Sequence, residues 1–218
     1  MSENMVTETR DVAGFDGVAL SGLGSVLITQ GDSESLTVEA PAELMKRVTN
    51  EVKNGVLVLG LKKGLWMAGL GKKDQKIRFK VTMENVRALR LGGVGRMDAP
   101  AIETDALSVV VSGVGGVEIG KLAAESLEVT LSGAGSCEIA GHAATQNIKL
   151  SGSGNYEARD LETKTASASV SGVGNLTIHV TDTLDAKISG AGSIRYHGGP
   201  TVRQRVTGAG SISCICNE

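Results

Sequence analysis

The sequence is poor in the residues that most often mark a binding or catalytic site. Its 218 residues include one tryptophan, two tyrosines and two phenylalanines. So few rings leave little for base stacking or sugar platforms. Lys and Arg number 22 against 24 Asp and Glu, a formal net charge of −2. A general nucleic-acid binder carries a basic footprint that this balance lacks, so no nucleic-acid partner is expected. The longest apolar runs, such as residues 56–59, fall far short of the roughly 20 residues that span a bilayer, so no transmembrane segment is expected. The opening stretch MSENMVTETRDV shows no apolar signal core. Cysteine is scarce as well. Cys137, Cys214 and Cys216 make no disulfide framework, and the C-x-C spacing is too tight for an ordinary bridge in an extended segment. They read as small buried hydrophobes, and free thiols fit a reducing compartment.

Glycine is the residue in excess. Thirty glycines are about twice the usual share of roughly 7%. Many fall in a recurring Ser-Gly-x-Gly tetrapeptide or a near variant, at residues 21–24, 92–95, 112–115, 132–135, 151–154, 171–174, 189–192 and 207–210. From the second copy onward the first glycines are spaced by 20, 20, 19, 20, 18 and 18 residues. A period of that size means a solenoid or an array.

Around each copy the apolar residues alternate strictly. Leu127, Val129, Leu131, Gly133, Gly135, Cys137 and Ile139 share one parity, and Glu128, Thr130, Ser132, Ser136 and Glu138 share the other. Period two over this length is a strand signal. A strand–corner–strand unit of this size cannot bury its apolar face alone. Stacked as parallel rungs about 4.8 Å apart, such units share one core. The copies repeat head to tail with no two-residue hairpin between them, which excludes an antiparallel sandwich. The expected fold is all-β, a parallel β-helix with about 18–20 residues per rung. Residues 1–14 read as a loose terminus, 15–85 as an N-terminal β segment and cap, and 86–218 as regular rungs, with 15–218 one continuous domain. Within the cap, Pro41 opens one helical turn, and Asn54-Gly55 between two β-rich runs is the best hairpin signal in the chain.

The glycine pairs read as structural corners: Gly22 and Gly24, Gly93 and Gly95, Gly113 and Gly115, Gly133 and Gly135, Gly152 and Gly154, Gly172 and Gly174, Gly190 and Gly192, Gly208 and Gly210. Each corner needs a glycine at positive φ or at close backbone approach. A phosphate cradle would need a following helix and a lysine, and neither follows.

Stacking turns a repeat position into a column. Five residues after the first glycines lie Asp98, Glu118, Glu138 and Glu157, followed by Thr177 and Arg195. Carboxylates that close repel, which raises pKa values or recruits a cation. The column reads as a solvated face, as a weak cation site, or as the acids of a divergent polysaccharide lyase or hydrolase, with no basic partner inside it. His179 and His197 form another column, a weak metal candidate without a third ligand; His142 reads as an isolated surface residue. The middle residues of the tetrapeptides (Leu23, Val94, Val114, Ala134, Ser153, Val173, Ala191 and Ala209) point outward on strand parity, or into the core if the corner turns them. Ser21, Ser112, Ser132, Ser151, Ser171, Ser189 and Thr207 make a hydroxyl ladder beside them. No serine has a His–Asp arrangement near it, so nucleophilic catalysis has no support, and no cofactor is expected. Trp66, Met67 and Leu70, between lysine pairs, read as a contact site for a membrane surface or partner, or as a loop folded over the solenoid. An open final rung would be an exposed edge, so a homo-oligomer is expected there or on a flat side.

Several stretches together resemble a known family. They are G-F-D-G-V at residues 14–18, G-S-V-L-I-T-Q-G-D at 24–32, L-T-V-E-A at 36–40, E-V-K-N-G-V-L-V at 51–58, and L-R-L-G-G-V-G at 89–95 with its repeats. In this order they are similar to the auto-transporter adhesin "head GIN" domain family, across about residues 14–216. The resemblance implies a right-handed parallel β-helix of bacterial origin, in the cell envelope or outside the cell. It implies adhesion through binding a surface ligand, a protein partner or a second copy, and it offers no catalytic residues to carry over. The free thiols and the start without a signal core would also allow a cytoplasmic scaffold.

Overall fold

In the computed structural model, which describes residues 4–62 and 77–215, nearly every element is a strand. In chain order these are β1 (Met5–Arg10), β2 (Gly17–Leu20), β3 (Leu23–Gln30), β4 (Ser35–Pro41), the short helix α1 (Ala42–Met45), β5 (Val48–Lys53), β6 (Val56–Leu61), β7 (Arg78–Met83), β8 (Ala88–Leu91) and β9 (Val94–Ala99). Then follow β10 (Ile102–Val111), β11 (Val114–Leu131), β12 (Ala134–Leu150), β13 (Ser153–Val170), β14 (Val173–Ile188), β15 (Ala191–His197), β16 (Thr201–Val206) and β17 (Ala209–Cys214). The long strands β11 to β14 bend around the rung while their backbone stays paired with the rungs on either side.

Those pairings are parallel and almost in register: Val114 lies opposite Ala134, Ala134 opposite Ser153, and Ser153 opposite Val173. The fold is the expected parallel β-solenoid. Alternation places one parity inside. The column Leu20, Leu91, Val111, Leu131, Leu150, Val170 and Ile188 is at most 2% exposed throughout. Each such side chain removed from water contributes about 1.5–3 kcal/mol. A shorter third face closes each rung, with Ile102, Leu122, Leu161 and Val180 buried on it.

The corners repeat one hydrogen-bond pattern. The carbonyl of Leu91 accepts from the N–H groups of Ser112 and Gly113, both at 2.9 Å, and Val114 N–H then donates to Gly93. Leu131, two rungs further along the same column, receives Ser151 and Gly152 in the same way. This stacking brings backbone so close that a Cβ on Gly113 would land on the carbonyl oxygen of Gly93, and one on Gly133 on that of Gly113. Several second glycines add a positive φ, as Gly115 does at 136°. Close approach therefore explains the first glycine, and close approach with dihedral the second.

The N-terminal part departs from simple stacking. β2 and β3 are flanked on one side by β6 and β7 and on the other by β8 and β9, all parallel. The first rung in sequence is thus not the first in space. β4 then pairs antiparallel with β7, β1 with β4, and β5 with β6. These strands and α1 are the expected β-rich cap. The expectation of a loose terminus over residues 1–14 is corrected: Met5 to Arg10 pair with Pro41 to Leu36, because β4 would otherwise leave an open edge. The hairpin signal holds, with Asn54 at φ 51° and Gly55 at φ 75° between β5 and β6. Trp66, Met67 and Leu70 lie outside the described residues. Cys137 is buried and free, whereas Cys214 is disulfide-bonded, which corrects the expectation of a free thiol there.

Candidate functional site

The outward columns run across parallel strands. Asp98, Glu118, Glu138, Glu157, Thr177 and Arg195 are register neighbours in that order, as the spacing predicts. No basic residue stands among the acidic rungs of this column, but Arg96, two residues before Asp98 and in the neighbouring column, reaches across to it. Its guanidinium donates to Asp98 at 2.5 Å and also reaches Glu118. The Asp98 carboxylate is the main reason the Arg96 pKa is raised, and Glu118 and Glu138 add to it. Arg96 and its two partners are all more than a third exposed, so the cluster is screened and contributes little to stability.

The histidines gather more closely than their spacing suggests. His142 lies opposite Glu162, Glu162 opposite His179, and His179 opposite His197. All three histidines of the chain therefore share one column. Counting from the glycines misses this because register shifts between Glu138 and Gly141, and between Ala158 and Glu162, absorb residues at the bend. His179 and His197 meet edge to face with ring centroids 6.4 Å apart. His197 is covered by its neighbours, and its Nε2 has no hydrogen-bond partner among the described residues. This burial lowers its pKa, and the positive charge of Arg159 and the proximity of His179 lower it further. Among the described residues, no three His, Cys, Asp or Glu side chains gather closely enough to hold a metal ion.

The middle residues of the tetrapeptides form one continuous column from Leu23 to Ala209. They face solvent: Val114 is 53% and Val173 59% exposed. Of the two sequence readings, the outward one holds, since the corner bends the backbone without turning this side chain inward. On one flank lies the hydroxyl ladder. On the other lie Ser136, Asn155, Asn175 and Ser193 in register. Asn175 Nδ2 donates to Asn155 Oδ1 at 3.3 Å, and Ser193 Oγ donates to Asn175 Oδ1 at 2.6 Å. The face thus carries a small apolar stripe between two polar ladders. Counting three residues on from Gly133, Gly152, Gly172 and Gly190 yields this ladder, by the same spacing that yields the acidic column.

A polar groove of about 660 Å³ runs along a different corner, lined among others by Arg87, Glu103, Asp105, Glu125, His142 and Lys164. It includes none of the four carboxylates of the acidic column. Inside the solenoid lies a buried polar network. Tyr156 OH donates to Gln146 Oε1 at 3.2 Å, Gln146 Nε2 donates to Thr163 Oγ1 at 2.7 Å, and Thr163 Oγ1 donates to the carbonyl of His179 at 2.8 Å. Burial raises the Tyr156 pKa, and it pushes the Cys137 thiol up to about 12. Both groups stay neutral and act as core residues. No helix among the described residues is long and apolar enough to cross a membrane.

Residues 14–200 match the sequence family described as "Putative auto-transporter adhesin, head GIN domain". Among solved structures the chain is similar to a putative adhesin from Bacteroides fragilis NCTC 9343, with 28% identity, a TM-score of 0.90 and 98% of each chain covered. It also resembles a putative adhesin from Parabacteroides distasonis ATCC 8503, with 24% identity, a TM-score of 0.73 and 97% of each chain covered. A putative lipid binding protein from the same organism has 22% identity, a TM-score of 0.69 and 97% of each chain covered. The last two likenesses concern the fold alone. No curated protein matches the chain.

Proposed function

The chain belongs to the auto-transporter adhesin head GIN domain family, and on that premise we propose that it is a non-enzymatic, adhesin-like surface module of the cell envelope that binds through its tetrapeptide face. The observation that carries this reading is the outward stripe with Val114 and Val173 more than half exposed, borne in register by parallel rungs. A regular apolar stripe bordered by hydroxyl and amide groups suits a contact surface. Its ladders offer hydrogen bonds at a fixed repeat of about 4.8 Å. The acidic column beyond the amide ladder supplies charge at the rim. Its Arg96 bridges to Asp98 and Glu118 support an electrostatic role for this rim.

Beads coated with the chain should be retained on mucin-coated or fibronectin-coated surfaces. The double variant Val114→Asp, Val173→Asp should lower that retention at least about tenfold by placing charge in the contact stripe. Both positions are exposed, so its thermal midpoint should stay near that of the parent. Unchanged retention of the variant would remove this face from the function.

A further inference from the structure

Among the described residues, the rung of β16 and β17 is paired on one side only. β16 pairs with β14 and β17 with β15. Among the described residues, nothing pairs with their outer edges. Val206 is the next member of the buried column that ends at Ile188, yet it is 42% exposed. Val202 and Ile212 are likewise only partly covered. An open edge of unpaired N–H and C=O groups beside uncovered core residues is a template for another strand.

Charge selects the strand. Residues 186–215 contain Lys187, Arg195, Arg203 and Arg205 and no carboxylate. Lys187 is held by Asp185 at 3.2 Å, while the three arginines have no ion pair among the described residues. Arg203 and Arg205 alternate along β16 with Val202, Gln204 and Val206, and the two arginines continue the outward columns of Asp185 and Lys187.

We propose that this end is a docking site for an extended acidic segment of a partner protein, added to β16 as the next strand. Its apolar side chains cover Val202 and Val206, and its intervening carboxylates meet Arg203 and Arg205. A second copy fits less well. Two such ends face to face would set arginine against arginine. The capped end offers edge strands β1 and β5, but Glu8 and Glu51 there are already paired with Arg10 at 2.8 Å and Lys53 at 2.7 Å.

The test uses the full chain and a fluorescein-labelled peptide of alternating valine and glutamate, with a valine–lysine peptide as control. Anisotropy should show the glutamate peptide binding at least about tenfold more tightly than the lysine peptide. That preference should shrink several-fold when salt rises from about 50 mM to about 500 mM. The double variant Arg203→Glu, Arg205→Glu should reverse the preference. Should that variant fold poorly, the salt dependence of the parent still decides. Equal affinity for the two peptides, insensitivity to salt, or sedimentation showing a dimer that excludes the peptide would overturn the proposal. The face variant Val114→Asp, Val173→Asp should leave peptide binding unchanged, which separates this site from the tetrapeptide face.

Discussion

The tetrapeptide glycines are defined at the scale of single atoms. Gly113 has backbone of the previous rung where a Cβ would go, whereas Gly199 has nothing within 4 Å. Gly113→Ala should therefore cost roughly 3 kcal/mol or more by overpacking against backbone that cannot yield, while Gly199→Ala should lie within about 0.5 kcal/mol of the parent. Urea unfolding of the two variants checks the contrast, and equal midpoints would contradict it. His197 makes a prediction of opposite character. Its folded pKa is lowered from the ordinary 6.5, so below that value the unfolded chain binds more protons than the folded one. Stability then rises with pH through this window and is lost as pH falls below about 6.5. Thermal midpoints from pH 8 to pH 5 should fall, and His197→Gln should flatten the acid limb. The same limb in parent and variant would show that other groups carry it.

At the scale of the element, the strands and their stacking were legible because glycine spacing and alternation report one geometry twice. Val114, Ala134 and Ser153 could be placed side by side from the sequence for that reason. The third face was harder to read, because its bends absorb different numbers of residues between Ile119 and Leu122 and between Ala158 and Glu162. His142 consequently joined His179 and His197 unannounced. Arg96 was missed for another reason: it belongs to the neighbouring column and reaches across to Asp98. The placement of β6 and β7 beneath β2 and β3 had no signal, since no tetrapeptide connects them. The buried network is also an element-level feature, linking β12, β13 and β14. Gln146 occupies the inward position that Leu127 holds one rung earlier, and the hydroxyl of Thr163 satisfies its amide. Thr163→Val should leave that amide unpaired and cost about 1–3 kcal/mol. Thermal unfolding reads the loss, and a neutral substitution would mean that water replaces the hydroxyl.

At the scale of the whole molecule, the solenoid is nearly one-dimensional, so each rung depends on its two neighbours. One end has a cap of antiparallel strands and α1, and β16 and β17 at the other are largely exposed. Amide exchange should therefore be fastest in β16 and β17 and slowest in β12 and β13. Uniform protection along the chain would contradict a stack that frays from its open end. The interleaved start bears on synthesis. As the polypeptide leaves the ribosome, β2 and β3 emerge early but wait for residues 56–61 and 78–99 to arrive on both sides of them. The opening segment is an insert awaiting its slot, so nascent-chain folding cannot advance rung by rung from β2 and must wait until residues as far as 99 are outside the exit tunnel.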